Sequence, residues 1–453
     1  MKRLRRPITV SILAAVAAVA LLTSQPSLIP SAEPIRIGAV FPLSGSAARL
    51  AGYELRGVEI AAELVNADGG IGGRPIELEV RDLQRRTDAP EVMASLRDEG
   101  IELVIGAYAS DLSVAASQAA ASAGLVYWEA GAVADQLTGR GLPNVFRVGA
   151  SGSNLGSNSA AFAASQLAPR LGQTASELRI AIVSAEDAYA ASVADAAEAT
   201  SASLAMPVVV RTSYSLVLPD WDGVMQDLAA ADPDVIILAS HIPDGIAFRR
   251  AMLASGLEVG ALIGSTMAQC DPDFAGDLGA DAIGIFASDR PTGGFEPDAL
   301  RPAARTVYDR FAAAWGSPTI DEAHPDEGAS GYGEYGDGEY SISGPAESAT
   351  AAATEEALSG FTAAWALFYQ VLPAAQADGA LDADSIGRAA RVMDLPEGSL
   401  PNGAGLRFSS DAQTLGQNER AAAVIWQWQA IRTYAFVWPA TFATGPIDFV
   451  PLP

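Results

Sequence analysis

The sequence predicts an α/β protein of two lobes, each built on a parallel sheet with helices on both faces. Two observations carry this. From Ile35 onward, short β-branched runs alternate with amphipathic stretches, which is the pattern of strands that pair in parallel and are buried on both sides. After a glycine- and serine-rich crossing at 145–159 the same alternation starts again. The 453 residues, 49% of them hydrophobic, contain enough apolar material for two cores.

In the first lobe, strands are predicted at 35–40, 76–81, 103–106 and 125–128. The first helix carries the stripe Leu55, Val58, Ala62, Val65 and stops at Asp68-Gly69-Gly70. The second lobe repeats the pattern with strands at 178–184, 208–213, 235–239 and 261–264. Helices follow at 298–315, 355–376 and 383–393, then aromatic strands at 424–428 and 434–438. A chain that leaves one lobe and later returns to it makes a hinge of several passages. The segment 316–348, centred on Gly331-Tyr-Gly-Glu-Tyr-Gly-Asp-Gly-Glu-Tyr340, is too polar to bury a core of its own and reads as a surface insertion.

The N-terminus is a basic stub (Lys2, Arg3, Arg5, Arg6), an apolar run from Ile8 to Leu22 and a polar stretch containing proline, which together form an export leader or membrane anchor over 1–32. The only cysteine is Cys270, so there is no leader cysteine to acylate and no intrachain disulfide. The net charge of −26 becomes −30 once the four leader cations are removed. Such a field repels nucleic acid and anionic membranes, and no nucleic-acid partner is expected.

Composition also excludes chemistry. Lys2 is the only lysine, so the exported chain has neither a GxxxxGK phosphate loop nor a Schiff-base lysine. One cysteine and two histidines, His241 and His324, do not make a zinc site. We expect no enzyme, no cofactor and no metal.

Open parallel sheets bind ligands beyond the carboxyl ends of their strands, where helix N-termini offer unpaired N–H groups. In the first lobe those ends are the loops 44–50, 107–111 and 129–133. Ser110 and Asp111 fall at a predicted helix start, where each is a candidate helix cap or a ligand contact.

The motifs Ile35-Arg-Ile-Gly-Ala-Val-Phe-Pro-Leu-Ser-Gly45, Arg56-Gly57-Val-Glu-Ile-Ala-Ala and Val65-Asn-Ala-Asp-Gly-Gly70-Ile-Gly-Gly73-Arg-Pro-Ile resemble the opening of the leucine/isoleucine/valine-binding protein family, the type I periplasmic solute-binding proteins of ABC transporters. The resemblance continues through Val104-Ile-Gly106-Ala-Tyr-Ala-Ser110, Pro143-Asn-Val-Phe146-Arg147, Asp187-Ala-Tyr189, Pro233-Asp234-Val-Ile, Pro401-Asn402-Gly403, Arg407-Phe408 and Gln427-Trp428-Gln429. It implies a Venus-flytrap of two Rossmann-like lobes joined by three crossovers. Residues 35–149 and 289–398 form the first lobe, 150–288 and 399–440 the second, and 441–453 a tail.

The resemblance also implies site residues. Ser110 matches the serine that holds the ligand carboxylate, with Asp111 beside it. Ala132 and Val133 lie in the loop that contacts the ligand's amino and carboxylate groups, with valine where a threonine is expected. Leu50, Tyr189 and His241 match positions lining the cleft. Thr266 lies near where amino-acid binders place the glutamate that accepts the ammonium. Either Glu129 supplies the missing carboxylate, or the ligand has no ammonium; the frequency of amino-acid binders in the family favours the first. Arg147 is expected to bridge the hinge. The implied protein is an exported monomer, periplasmic or extracellular, that passes a small solute to an ABC permease in the membrane. The alternative is a ligand sensor on the same scaffold.

Overall fold

The computed structural model describes residues 32–265, 269, 272–316 and 353–453. The leader, Thr266, Cys270 and the insertion beyond Gly316 lie outside them.

The first lobe contains β1 (Ile35–Phe41), α1 (Ala48–Ala67), β2 (Ile76–Asp82), α2 (Ala89–Asp98), β3 (Leu103–Gly106), α3 (Ser110–Ala123), β4 (Val126–Glu129) and β5 (Val145–Arg147). Its sheet has the order β2-β1-β3-β4-β5 and is parallel throughout. β3 and β4 are buried at every position, as strands covered on both faces must be.

The chain then builds the second lobe from α4 (Gly152–Phe162), β6 (Ile180–Ala185), α5 (Ala188–Ser203), β7 (Val208–Tyr214), α6 (Trp221–Ala231), β8 (Val235–Ala239), α7 (Ile242–Ser255), β9 (Ala261–Ser265), α8 (Pro272–Leu278) and β10 (Phe286–Asp289). It returns to the first lobe with α9 (Pro302–Trp315), α10 (Glu355–Ala366), α11 (Leu372–Ala377) and α12 (Ala383–Arg391). β11 (Val424–Ala430) and β12 (Thr433–Trp438) finish the second sheet. Its order is β12-β11-β10-β9-β8-β6-β7, with β11 antiparallel to β10 and to β12. The chain therefore passes between lobes three times: after β5, after β10, and between α12 and β11.

α10 belongs to the first lobe because it packs against α1 at backbone distance. A Cβ on Gly57 would stand 2.1 Å from the Ala357 carbonyl oxygen, and one on Gly360 would stand 2.0 Å from that of Glu54. The Trp128 indole N–H donates to the Ala363 carbonyl at 2.9 Å, tying β4 to the same helix.

Two details of the hinge differ from the sequence reading. The crossing expected at 145–159 is only four residues long, because β5 and most of α4 occupy the rest. Ser151 caps α4 in a reciprocal bond with Asn154, and a Cβ on Gly156 would lie 2.1 Å from the Val193 carbonyl oxygen of α5. These serines and glycines serve capping and close helix packing. The connection 392–423, which the sequence divides at 399, also lies against the first sheet. Phe408 meets Trp128 and Phe146 with ring centroids 5.3 and 5.0 Å apart, and Gln417 bridges to Arg147.

Candidate functional site

The site lies beyond the carboxyl ends of the strands of both sheets. α3 starts there without a side-chain cap; its N-cap residue is Ala109. Ser110 and Asp111 occupy the first helical positions, so neither is the cap. The Asp111 carboxylate accepts the neighbouring Leu112 N–H at 2.9 Å and stands 3.9 Å from Arg86. Ser110 Oγ accepts the Ala134 N–H at 3.1 Å, which leaves its own hydrogen for donation. Among the described residues no hydrogen bond is made by the amides of Ser110 and Asp111. A hydroxyl donor, two amides and a helix N-terminus together suit an anion.

The neighbouring loop, 130–134, is fixed from below. Glu129 is fully buried and its carboxylate is turned back into the loop, accepting from the amides of Gly131 (2.9 Å) and Ala132 (2.8 Å) and from the Tyr127 hydroxyl (3.1 Å). Burial raises its pKa, opposed by the amide of Ala132 and the hydroxyl of Ser113. The loop carbonyls are engaged by two buried arginines. Arg147 donates to Ala132 (3.3 Å) and Ala134 (2.7 Å), to Thr138 (3.2 Å) and to Gln417 of the third crossover (2.5 Å). Burial lowers its pKa to about 10, still cationic at neutral pH.

Arg290, at the start of the second crossover, donates to the Gly131 carbonyl, and its Nε lies 2.5 Å from Glu355 of α10. Sequence reasoning missed this residue and its partner, since nothing local to either marks a contact across 65 positions. It also missed Glu54 of α1, fully buried against Gly131, whose carboxyl oxygens have no hydrogen-bond partner. Burial, and then the charge of Glu129, push its pKa well up.

In the second lobe the Tyr189 hydroxyl donates to the Ser240 carbonyl at 2.9 Å, and its ring meets His241 edge-on at 5.2 Å. His241 Nε2 lies 3.1 Å from Asp187, and the His241 amide donates to Asp244 at 3.1 Å. Asp187 also caps α5 through the Ala190 N–H, and Asp244 accepts from the Tyr214 hydroxyl. Leu50 is buried in the first turn of α1. Ala132 and Val133 are buried as well, and the Val133 carbonyl accepts the Gly152 N–H at 2.6 Å.

The lobes touch across the cleft. The Asp135 amide donates to Ser192 of α5 at 3.0 Å, and Arg49 of α1 pairs with Asp273 of α8 at 2.9 Å. Beside this contact an open depression of about 650 Å³ is lined by Gln136 of the first lobe and by Ser184, Asp187, Arg211 and Ser213 of the second.

His241 carries a pH signature. Burial disfavours its imidazolium, but the carboxylates of Asp187 and Asp244 outweigh that and push its pKa up to about 10. A folded-state pKa above the unfolded value gives stability that is complete below about pH 6.5 and lost as pH rises through about 10, on the order of 2 kcal/mol after discounting for partial exposure. Urea unfolding at pH 6 and pH 9.5 should show this loss, and His241→Gln should flatten it. An equal slope in both proteins would place the titration elsewhere.

Comparison with known proteins now bears on this geometry. A family model described as periplasmic binding protein matches residues 34–362. The chain belongs to this family. A similar relative is the Leu/Ile/Val-binding protein homolog 8 of Brucella abortus, 28% identical over 397 residues that cover 87% of this chain and 88% of the relative. Among solved structures, the branched-chain amino acid transporter substrate binding protein LivJ from Streptococcus pneumoniae, in complex with isoleucine, aligns with a TM-score of 0.66 at 18% identity, covering 90% of this chain and 100% of that one. A solute binding protein of an ABC transporter from R. palustris, in complex with benzoate, aligns at 0.63 and 18%, covering 92% and 98%. At such identity these structures share the two-lobed fold of the family.

Proposed function

We propose that this periplasmic binding protein is the exported, monomeric solute receptor of an ABC importer, and that it closes its lobes on a small solute whose carboxylate is held at the start of α3. The observation that carries the reading is the uncapped helix at Ser110, with a hydroxyl whose lone pair is occupied and whose hydrogen is free. The relatives make the transport role the natural one, and those crystallised with isoleucine and with benzoate share a carboxylate. Glu129, engaged by three donors, is assigned to bracing the loop instead of to the solute. Closure is an equilibrium that a solute touching both lobes shifts toward the closed form.

A hydrogen bond to a charged group contributes about 1.5–3 kcal/mol, so Ser110→Ala is expected to weaken solute binding by roughly ten- to a hundredfold. Loss of the Ala134 contact should cost the ligand-free protein only about 1 kcal/mol. Calorimetry showing unchanged affinity for a carboxylate solute would sink this placement.

A further inference from the structure

We infer that Arg49 and Asp273 form a latch that holds the two lobes together before the solute arrives, so that ionic strength sets how readily the cleft opens. The inference rests on the reading that the lobes open and close on a solute.

Each partner is mounted firmly on its own lobe. Arg49 lies in the first turn of α1, followed by the buried Leu50 and Ala51. Its guanidinium sits 5.9 Å from the centre of the Tyr53 ring, and that ring meets Trp315 of α9 edge-on at 6.1 Å. A guanidinium resting on an aromatic ring is attracted to it and has less freedom to lose when it forms an ion pair. Asp273 lies in the first turn of α8, beside Phe274 and Ala275, which are fully buried in the second lobe. A Cβ on Gly276 would stand 2.5 Å from the Arg432 guanidinium at the β11–β12 turn, and Arg250 of α7 donates to the Asp277 carbonyl at 3.4 Å. The 2.9 Å contact between Arg49 Nη2 and Asp273 Oδ2 therefore reports the spacing of the lobes, and drawing α1 away from α8 breaks it.

The contact at Asp135 is of another kind. Its amide donates to Ser192, and its carboxylate accepts from the Ser153 amide at 3.1 Å and from the Ser153 hydroxyl. Ser153 stands in the first turn of α4, directly after the first crossover, so this contact belongs to the hinge. The bond to Ser192 joins two neutral groups. The latch joins two charges, and its side chains keep 37% and 29% of their accessible surface, so dissolved ions reach them. The screening length falls from about 10 Å at 0.1 M salt to about 3 Å at 1 M. The hinge pair Arg290–Glu355, at 6% and 7%, lies too deep to respond in this way. An exposed pair is weak, and weakness suits a latch: a solute that touches both lobes adds to it, and thermal motion still opens the cleft for entry and release.

Small-angle X-ray scattering of the full-length, solute-free protein at about 0.1 and 1 M NaCl tests the latch. The reference is Arg49→Gln, which loses the pair but changes net charge by a single unit, so that general screening of the acidic chain cancels in the comparison. At low salt the variant is expected to be more extended than the wild type, its open-to-closed ratio raised about threefold. At high salt the two should converge. The exchange Arg49→Asp with Asp273→Arg should return the low-salt dimensions to those of the wild type, a rescue that loss of local packing would not give. Equal dimensions of wild type and Arg49→Gln at low salt would overturn the inference, as would an exchanged pair as extended as Arg49→Gln. Either result leaves the solute-receptor reading standing, since that reading is tested separately by the affinity of Ser110→Ala for a carboxylate solute.

Discussion

Replacing Arg290 by methionine is expected to destabilise the folded protein by about 3–5 kcal/mol, a large part of the 5–15 kcal/mol that holds a typical domain folded. The guanidinium is buried, pairs with Glu355 at 2.5 Å and holds the Gly131 carbonyl. Its charge is reinforced by Glu355 and then Asp289 against the cost of burial. Removing it leaves Glu355 uncompensated inside the first lobe and frees a loop carbonyl. The double variant Arg290→Met with Glu355→Leu should recover most of the loss, because an apolar pair of similar size carries no desolvation penalty. Equilibrium unfolding in urea measures both. A loss below 1 kcal/mol in the single variant would show that the pair is a surface-like contact of little weight.

The second large effect is expected at Gly57. A methyl there would meet Ala357 O at 2.1 Å and Phe361 N at 2.7 Å, both backbone atoms of α10. α1 and α10 would have to part, at a cost of about 3 kcal/mol in overpacking, which exceeds the ~1 kcal/mol gain in helix propensity on replacing glycine by alanine. Gly52 lies on the same helix with nothing within 4 Å of its would-be Cβ. Gly52→Ala should therefore stabilise by about 0.5–1 kcal/mol. Thermal melts of the two variants should move in opposite directions; a shift of the same sign in both would show that α1 and α10 can separate at little cost.

Much of the scaffold is legible in the sequence, and the gaps have physical causes. The strands 103–106 and 235–239 coincide with β3 and β8, since uninterrupted β-branched runs mark strands buried on both faces. β10 went unmarked because Phe286-Ala-Ser-Asp289 is short and half polar, and it becomes a strand through partners at β9 and β11 that only the fold supplies. The glycines of 149–156 resembled a loop because close helix packing and chain reversal both select glycine.

At the site, the start of a helix beside Ser110 was readable, whereas the cap position was not, because Ala109 carries no capping side chain. The role expected of Glu129 as a ligand acceptor was drawn from its position at a strand end. In the structure the turn of the loop brings two amides back over its carboxylate, a contact across the loop that its strand-end position does not announce. Arg147 read as a hinge residue and is found spanning to Gln417, 270 positions on.

The route of the chain also governs the order in which the protein can be assembled. β10 has β9 along one edge, and the other edge is completed only by β11, which follows 134 residues later, after the chain has gone back to build part of the first lobe. Until β11 arrives, the second sheet presents an unpaired edge in its middle, the kind of edge on which chains aggregate. Contacts of such sequence separation are closed late and slowly. The hairpin β11–β12 is therefore the step on which completion of the second lobe waits.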